Sequence, residues 1–144
     1  IFVAEHIDRK VKNYSLAKKA FDYLPKDFIL TSISGTTHQD LVNYYNAADV
    51  LLLTSVSEGS PNVIKEAMAC NCPIVSTDVG DVKKIIYNTK GCYICDDNPV
   101  DISEKIKSAI IFSERTNGRE NIKHLDANII ADKLCLMYKQ LLKC

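Results

Sequence analysis

The run Val50-Leu51-Leu52-Leu53 constrains this chain more than any other segment. Consecutive apolar residues in a strand point to opposite faces, so both faces need cover, as in a central strand of a parallel sheet. The rest of the chain supplies that cover. Residues 1–7, 28–33, 50–56 and 73–76 and the segment Cys92–Cys95 predict strands, and amphipathic stretches lie between them. Tyr14, Ala17, Ala20, Phe21 and Leu24 recur at helical spacing until Pro25 stops them. His38–Ala47 predicts a helix with Leu41, Tyr44 and Tyr45 on one side, followed by helices over 61–70 and 81–87. Pro99 suits a first helical position, with Ile102, Ile106, Ala109 and Ile110 facing inward. A charged, turn-rich patch over 113–119 leads to a last helix, where Ile130, Leu134, Met137 and Leu141 repeat. Strands alternating with helices predict a three-layer α/β domain: a central parallel sheet, helices on both faces and right-handed crossovers.

Several function classes drop out on composition. With 144 residues, 47% hydrophobic and 25% charged, the chain has the length and balance of one globular domain. No apolar run is long enough for a membrane span. Ile1–Val3 is followed at once by Glu5, His6, Asp8 and Arg9, which does not fit a signal peptide. The start within a strand, without Met, reads as a fragment. Eighteen basic and eighteen acidic residues cancel, so the footprint expected for nucleic acid is missing. A local cluster of Lys10, Lys12, Lys18 and Lys19 suits either a solvated helix face or phosphates. Of the six cysteines, Cys92 and Cys95 form a C-x-x-C within a predicted strand, which sends them to opposite faces, unlike a zinc knuckle. We expect free thiols, no metal site and a reducing, cytoplasmic setting.

In parallel sheets ligands bind at the C-terminal strand edges, which directs attention to the loops after Ile7, Ile33, Val56 and Ser76. The loop after the central strand runs Ser57-Glu58-Gly59-Ser60-Pro61-Asn62-Val63. Ser60 is placed to cap a helix that begins at Pro61. The free amides of that helix start, with its dipole, form an anion site. Gly59 leaves room for a ligand against the backbone. Within the helix, Val63, Ile64, Ala67 and Met68 cover the sheet side, while Asn62 and Glu66 lie one turn apart on another face. Glu66 can then hold paired hydroxyls of a sugar or ribose; the plainer alternative is a solvated carboxylate.

Over residues 46–86 the chain closely resembles glycosyltransferase family 4. The motifs are Asn46-Ala47-Ala48-Asp49-Val50, then Glu58-Gly59-Ser60-Pro61-Asn62-Val63-Ile64-Lys65-Glu66-Ala67-Met68-Ala69, then Pro73-Ile74-Val75-Ser76-Thr77-Asp78-Val79-Gly80. Glu58 and Glu66 fill the two ends of the family's E-x7-E motif. The resemblance implies one Rossmann-like half of a GT-B fold, with residues 1–144 forming the C-terminal donor-binding domain and the N-terminal acceptor domain lying outside this chain. It implies retaining transfer of a sugar from a nucleotide-diphosphate sugar to an acceptor hydroxyl, without metal or other cofactor. Glu58 would contact the donor sugar and Glu66 the ribose, while the backbone from Gly59 through Ser60, Pro61 and Asn62 to Val63 would lie along sugar and diphosphate. Lys12 would neutralise the diphosphate.

Two departures from the family pattern stand out. Ala4-Glu5-His6 occupies the place of the usual Gly-Arg, leaving Arg9 or Lys10 as alternatives to Lys12. A stretch usual before the Y-x-x-A-D helix is also absent, so residues 33–37 alone would face the base. The acceptor class implied is a sugar, a lipid-linked sugar or a glycan of the cell envelope, with only peripheral membrane association. Two other readings stay open: a sugar-nucleotide epimerase or phosphorylase on the same architecture, and a non-catalytic nucleotide-binding or interaction domain. A nicotinamide dehydrogenase is disfavoured, because no G-x-G-x-x-G follows any strand.

Overall fold

The computed structural model describes residues 1–142 and shows a Rossmann-like α/β domain. In chain order its elements are β1 (Phe2–Val3), α1 (Tyr14–Phe21), β2 (Ser32–Ile33), α2 (His38–Ala47), β3 (Leu51–Leu53), α3 (Asn62–Ala69) and β4 (Ile74–Thr77). They continue with α4 (Val82–Ile85), β5 (Cys92–Cys95), α5 (Pro99–Phe112), α6 (Gly118–Asn121) and α7 (Ala127–Leu141). Single 3-10 turns precede α1 (Lys10–Lys12) and α7 (Lys123–Leu125).

Among the described residues every strand pairing is parallel. β1 pairs with β2, Phe2 opposite Ser32; β4 pairs with β3 on one side and β5 on the other, with Ile74 opposite both Leu51 and Cys92. The two pieces meet at β1 and β3, where the Leu52 amide donates to the Ile1 carbonyl at 2.9 Å and the Ile1 amino group to Val50 at 2.6 Å. The strand order across the molecule is therefore 2-1-3-4-5, and its direction of winding reverses between β1 and β3. That reversal opens a crevice at the carboxyl ends of these two strands.

Both faces are covered, as the apolar run in the central strand demands. Val50 and Leu52 join Leu16, Ala17, Ala20, Ile102, Ile106 and Ala109 from α1 and α5. Leu51 and Leu53 join Tyr45, Ile64, Ala67, Met68 and Val82 from α2, α3 and α4. Each fully buried Leu or Ile in these clusters contributes about 1.5–3 kcal/mol of transfer free energy. Cys92 packs against the second cluster and Cys95 is buried in the first, so the two thiols do face apart.

Three strands are shorter than their predicted spans, whereas β5 keeps Cys92–Cys95 and β4 runs Ile74–Thr77 against the predicted 73–76. β1 and β2 keep two residues each, not the spans 1–7 and 28–33. Thr54 and Ser55 are buried, yet β3 stops at Leu53 because the chain beyond pairs with a loop: the Val56 amide donates to the Val11 carbonyl at 2.8 Å. The helix ends follow cap chemistry. Asn98 accepts from the Val100 amide at 2.8 Å ahead of Pro99, and Thr37 accepts from the Asp40 amide at 3.2 Å. In α7, Ile130, Leu134, Met137 and Leu141 are 39%, 48%, 58% and 71% exposed, so the predicted apolar stripe is not packed among the described residues. Among the described residues, no helix is long and apolar enough to cross a membrane.

Candidate functional site

Lys12 and Glu58 come together at the crevice between β1 and β3. The Lys12 ammonium donates to Glu58 Oε1 at 2.7 Å, with the two side chains 22% and 16% exposed. Thr54 carries the loop that makes this possible: its hydroxyl lies 3.2 Å from the Lys12 carbonyl and 3.0 Å from that of Asn13. Asn13 adopts a left-handed φ of 50°, which turns the loop into α1, and asparagine tolerates that region well. Together with the amide bond from Val56, these contacts fasten the loop after β1 onto the end of β3.

Glu58 receives a second donor on the same oxygen, the Ser55 hydroxyl at 2.7 Å. The Ser55 carbonyl in turn accepts from the buried Thr77 hydroxyl at the end of β4, also at 2.7 Å. Oε1 is thereby fixed, and Oε2 is left without a hydrogen-bond partner among the described residues. Arg9 and Lys10 are exposed on the outer side of the same loop, beside Asn13, Ser15 and Lys18. Of the three basic candidates, Lys12 is the one that meets the glutamate.

The start of α3 differs from expectation by one residue. Pro61 is the N-cap, in an extended conformation, and Asn62 is the first helical residue. Ser60 does not cap; its hydroxyl donates to Asp81 Oδ2 at 2.6 Å instead. The other Asp81 oxygen, Oδ1, is buried without a partner. Proline brings no amide of its own, but those of Asn62 and Val63 have no acceptor inside the helix, so the anion-binding chemistry of a helix start remains. Asn62 is exposed, whereas Val63 half-buries against the core. Above Gly59 the space is open: a Cβ there would meet nothing within 4 Å. Gly80 is the opposite case, with φ at 56° and a Cβ position only 2.0 Å from the Gly59 carbonyl oxygen. The turn after β4 thus presses directly against the loop, and the Asp81 amide donates to the Gly59 carbonyl at 3.1 Å.

Glu66 lies on the crevice side of α3, 28% exposed. The hydroxyl of Tyr45, itself buried in α2, donates to Glu66 Oε2 at 2.8 Å. His38, 90% exposed at the start of α2, brings Nδ1 within 3.5 Å of the other oxygen. This contact places the start of α2, into which residues 33–37 run, beside Glu66. Burial, first, and the neighbouring carboxylate push the Tyr45 hydroxyl well above the ordinary tyrosine range, so it remains a donor at every physiological pH.

Thr54, Ser55, Thr77, Tyr45 and Asp81 were absent from the sequence-based candidates. Apart from the Ser55–Glu58 contact three residues apart, their roles depend on pairings that span 21 to 42 residues of chain, for which a single sequence carries no spacing signal. Among the described residues, no group of three or more His, Cys, Asp or Glu side chains is placed to hold a metal ion.

Residues 8–111 match the family described as Glycosyl transferases group 1. A D-inositol 3-phosphate glycosyltransferase of Pseudarthrobacter chlorophenolicus is 34% identical over 77 residues, which are 54% of this chain and 18% of that protein. The N,N'-diacetylbacillosaminyl-diphospho-undecaprenol alpha-1,3-N-acetylgalactosaminyltransferase of Campylobacter jejuni is 31% identical over 122 residues, 76% of this chain and 32% of that protein. Sucrose-phosphate synthase from Thermosynechococcus elongatus shares the fold, with a TM-score of 0.84 over 99% of this chain and 45% of that one, at 19% identity. The matches take in no more than about a third of the length of the two curated relatives.

Proposed function

The chain belongs to the glycosyl transferases of group 1, and on that premise we propose that it is the C-terminal, donor-binding domain of a retaining family 4 enzyme of GT-B architecture. Its substrate is a nucleotide-diphosphate sugar, and the sugar passes to an acceptor hydroxyl held by an N-terminal domain outside this chain. The observation that carries this reading is the 2.7 Å pair between Lys12 and Glu58, beside the free amides that open α3. One cation, one carboxylate and one helix start converge where the sheet's winding reverses.

Each part has a task. Negative charge grows on the departing diphosphate as the bond to the sugar breaks. Lys12 and the amides of Asn62 and Val63 answer that charge, and a single well-placed donor of this kind is worth about a hundred- to a thousandfold in rate. The transfer needs no metal, because these groups supply the positive charge. On donor binding the Lys12 ammonium turns from Glu58 toward the diphosphate, and Glu58, still held by Ser55, accepts from a sugar hydroxyl. Gly59 and Ser60 let the sugar and diphosphate lie against the loop, with Pro61 as its rigid end. Glu66 binds the ribose. The lipid diphosphate named for the Campylobacter relative supports an envelope glycan or lipid-linked acceptor at the cytoplasmic membrane surface.

Calorimetric titration with uridine, guanosine and adenosine diphosphates tests the reading. At least one should bind more tightly than inorganic pyrophosphate, and the parent should prefer it to the matching nucleoside. If pyrophosphate binds as well as all three, the site is a plain anion site and the reading fails.

A further inference from the structure

Glu66 is not simply an exposed carboxylate on a helix. One of its oxygens is held by a phenol that is 1% exposed and whose ring is packed in the core. The helix that carries this phenol is fastened from below, where the Arg115 guanidinium donates to the carbonyls of Tyr45 at 2.8 Å and Ala48 at 2.9 Å. The same guanidinium donates to the Cys70 carbonyl at 2.9 Å, at the end of the helix that carries Glu66. Phenol and carboxylate thus sit on two helices locked to one another by a single side chain.

We infer that Tyr45 is a positioning residue: its hydroxyl fixes Glu66 Oε2 so that Oε1 is presented toward paired hydroxyls of a bound ribose. The inference rests on reading Glu66 as the ribose-binding carboxylate. A glutamate on a helix surface has three side-chain torsions, and a diol selects strongly only against a carboxylate already oriented for it. Tyr45 supplies that orientation from the protein side, because an ionised carboxylate only accepts and the buried phenol only donates here. The other neighbour of Glu66 does not do the same work. His38 Nδ1 is 3.5 Å away on a side chain 90% exposed, and it swings aside without disturbing packing.

Tyr45→Phe removes the hydroxyl and keeps the ring. The readout is the ratio of affinities for a nucleoside diphosphate and its 2′,3′-dideoxy counterpart, taken for whichever of the uridine, guanosine and adenosine diphosphates binds best. A merely structural role for Tyr45 would weaken both ligands alike and leave the ratio unchanged. We expect the preference for the ribose form to fall roughly three- to tenfold, the range of one lost hydrogen bond. In a Glu66→Gln background the same change should lower the ratio no further. Glu66→Asp serves as a second variant, on a partly exposed helix position that tolerates it: it keeps the charge but draws the carboxylate back from the phenol, and should lower the ratio at least as much. If Tyr45→Phe keeps the parent ratio while Glu66→Gln abolishes it, Tyr45 does not position Glu66, although Glu66 still binds ribose. If the parent itself does not distinguish ribose from dideoxyribose, the reading of Glu66 fails and the positioning role falls with it.

Discussion

Lys12 is 22% exposed and already paired, so its removal acts on the ligand and on Glu58 together. The Ser55 hydroxyl still donates to Glu58 in its absence, which keeps the carboxylate in place. Lys12→Ala should therefore lower affinity for a nucleoside diphosphate about tenfold or more, the scale of one charge-assisted contact, and leave the bare nucleoside nearly unchanged. Added salt should weaken diphosphate binding in the parent more than in the variant. Arg9→Ala and Lys10→Ala, on the outer side of the loop, serve as comparisons; a larger loss at Arg9 than at Lys12 would transfer the phosphate contact to Arg9. The cysteines make a separate prediction. Burial pushes the thiols of Cys92 and Cys95 up to about 12, whereas Cys135 is exposed. At pH 8 almost no thiolate forms at these two positions, so iodoacetamide should modify Cys135 in the folded protein and spare Cys92 and Cys95. Peptide mass spectrometry reads the outcome, and rapid alkylation of Cys95 would mean that β5 opens readily. Cys144 lies outside the described residues.

The turn after β4 acts as a buttress for the loop that starts α3. A methyl group at Gly80 would lie 2.0 Å from the Gly59 carbonyl oxygen, and the φ of 56° disfavours any side chain there. Gly80→Ala should lower stability by about 1–3 kcal/mol in denaturant titration and weaken nucleoside diphosphate binding as well, since the Gly59–Val63 backbone must move. Gly59→Ala, with open space around it, should cost far less stability while still weakening the ligand, and equal stability losses at both glycines would contradict this division. Elements with two independent local signals were legible in the sequence. For α5, the Asn98 cap and Pro99 agree with the apolar spacing, and the structure reproduces its start. The period of α2 was likewise enough to bound it at His38–Ala47. The ends of β1, β2 and β3 were not legible, unlike those of β5, because burial continues after the ladder stops: Thr54 and Ser55 stay buried while their hydrogen bonds go to loops. The start of α3 was misjudged by one residue because the Ser60 hydroxyl is turned to donate to Asp81 and does not accept from an amide of its own helix. The stripe of α7 has clean helical spacing, yet spacing says nothing of what stands opposite it.

At the scale of the whole molecule the candidate site is an edge, not an enclosure. Glu58, Lys12 and Glu66 are reached from β3, the loop after β1 and α3, which all bound the crevice from one side of the sheet's carboxyl edge. Their side chains keep 16%, 22% and 28% of their surface open. An open edge of this kind is adequate for grip. On the proposed function, the phosphate charge and the ribose diol of the ligand are both met by groups within one domain, so a nucleoside diphosphate should bind to the 144-residue chain alone. It is not adequate for transfer. A glycosyl cation-like transition state exposed to solvent is captured by water, and the acceptor hydroxyl must be held within about 3–3.5 Å of the reacting carbon to compete. On the proposed function, the acceptor is held by a domain outside this chain. The chain alone should therefore bind the nucleoside diphosphate with a dissociation constant in roughly the high micromolar to millimolar range, because only part of the ligand surface is buried. It should form no glycoside when given a radiolabelled nucleotide-sugar and an acceptor glycan. Joining it to an N-terminal domain of a group 1 relative should tighten nucleotide binding, and a gain of transfer activity would follow only if the two edges meet correctly. Glycoside formation by the 144-residue chain by itself, abolished by Lys12→Ala, would show that the acceptor site is carried within these residues and that the division into two binding halves is wrong.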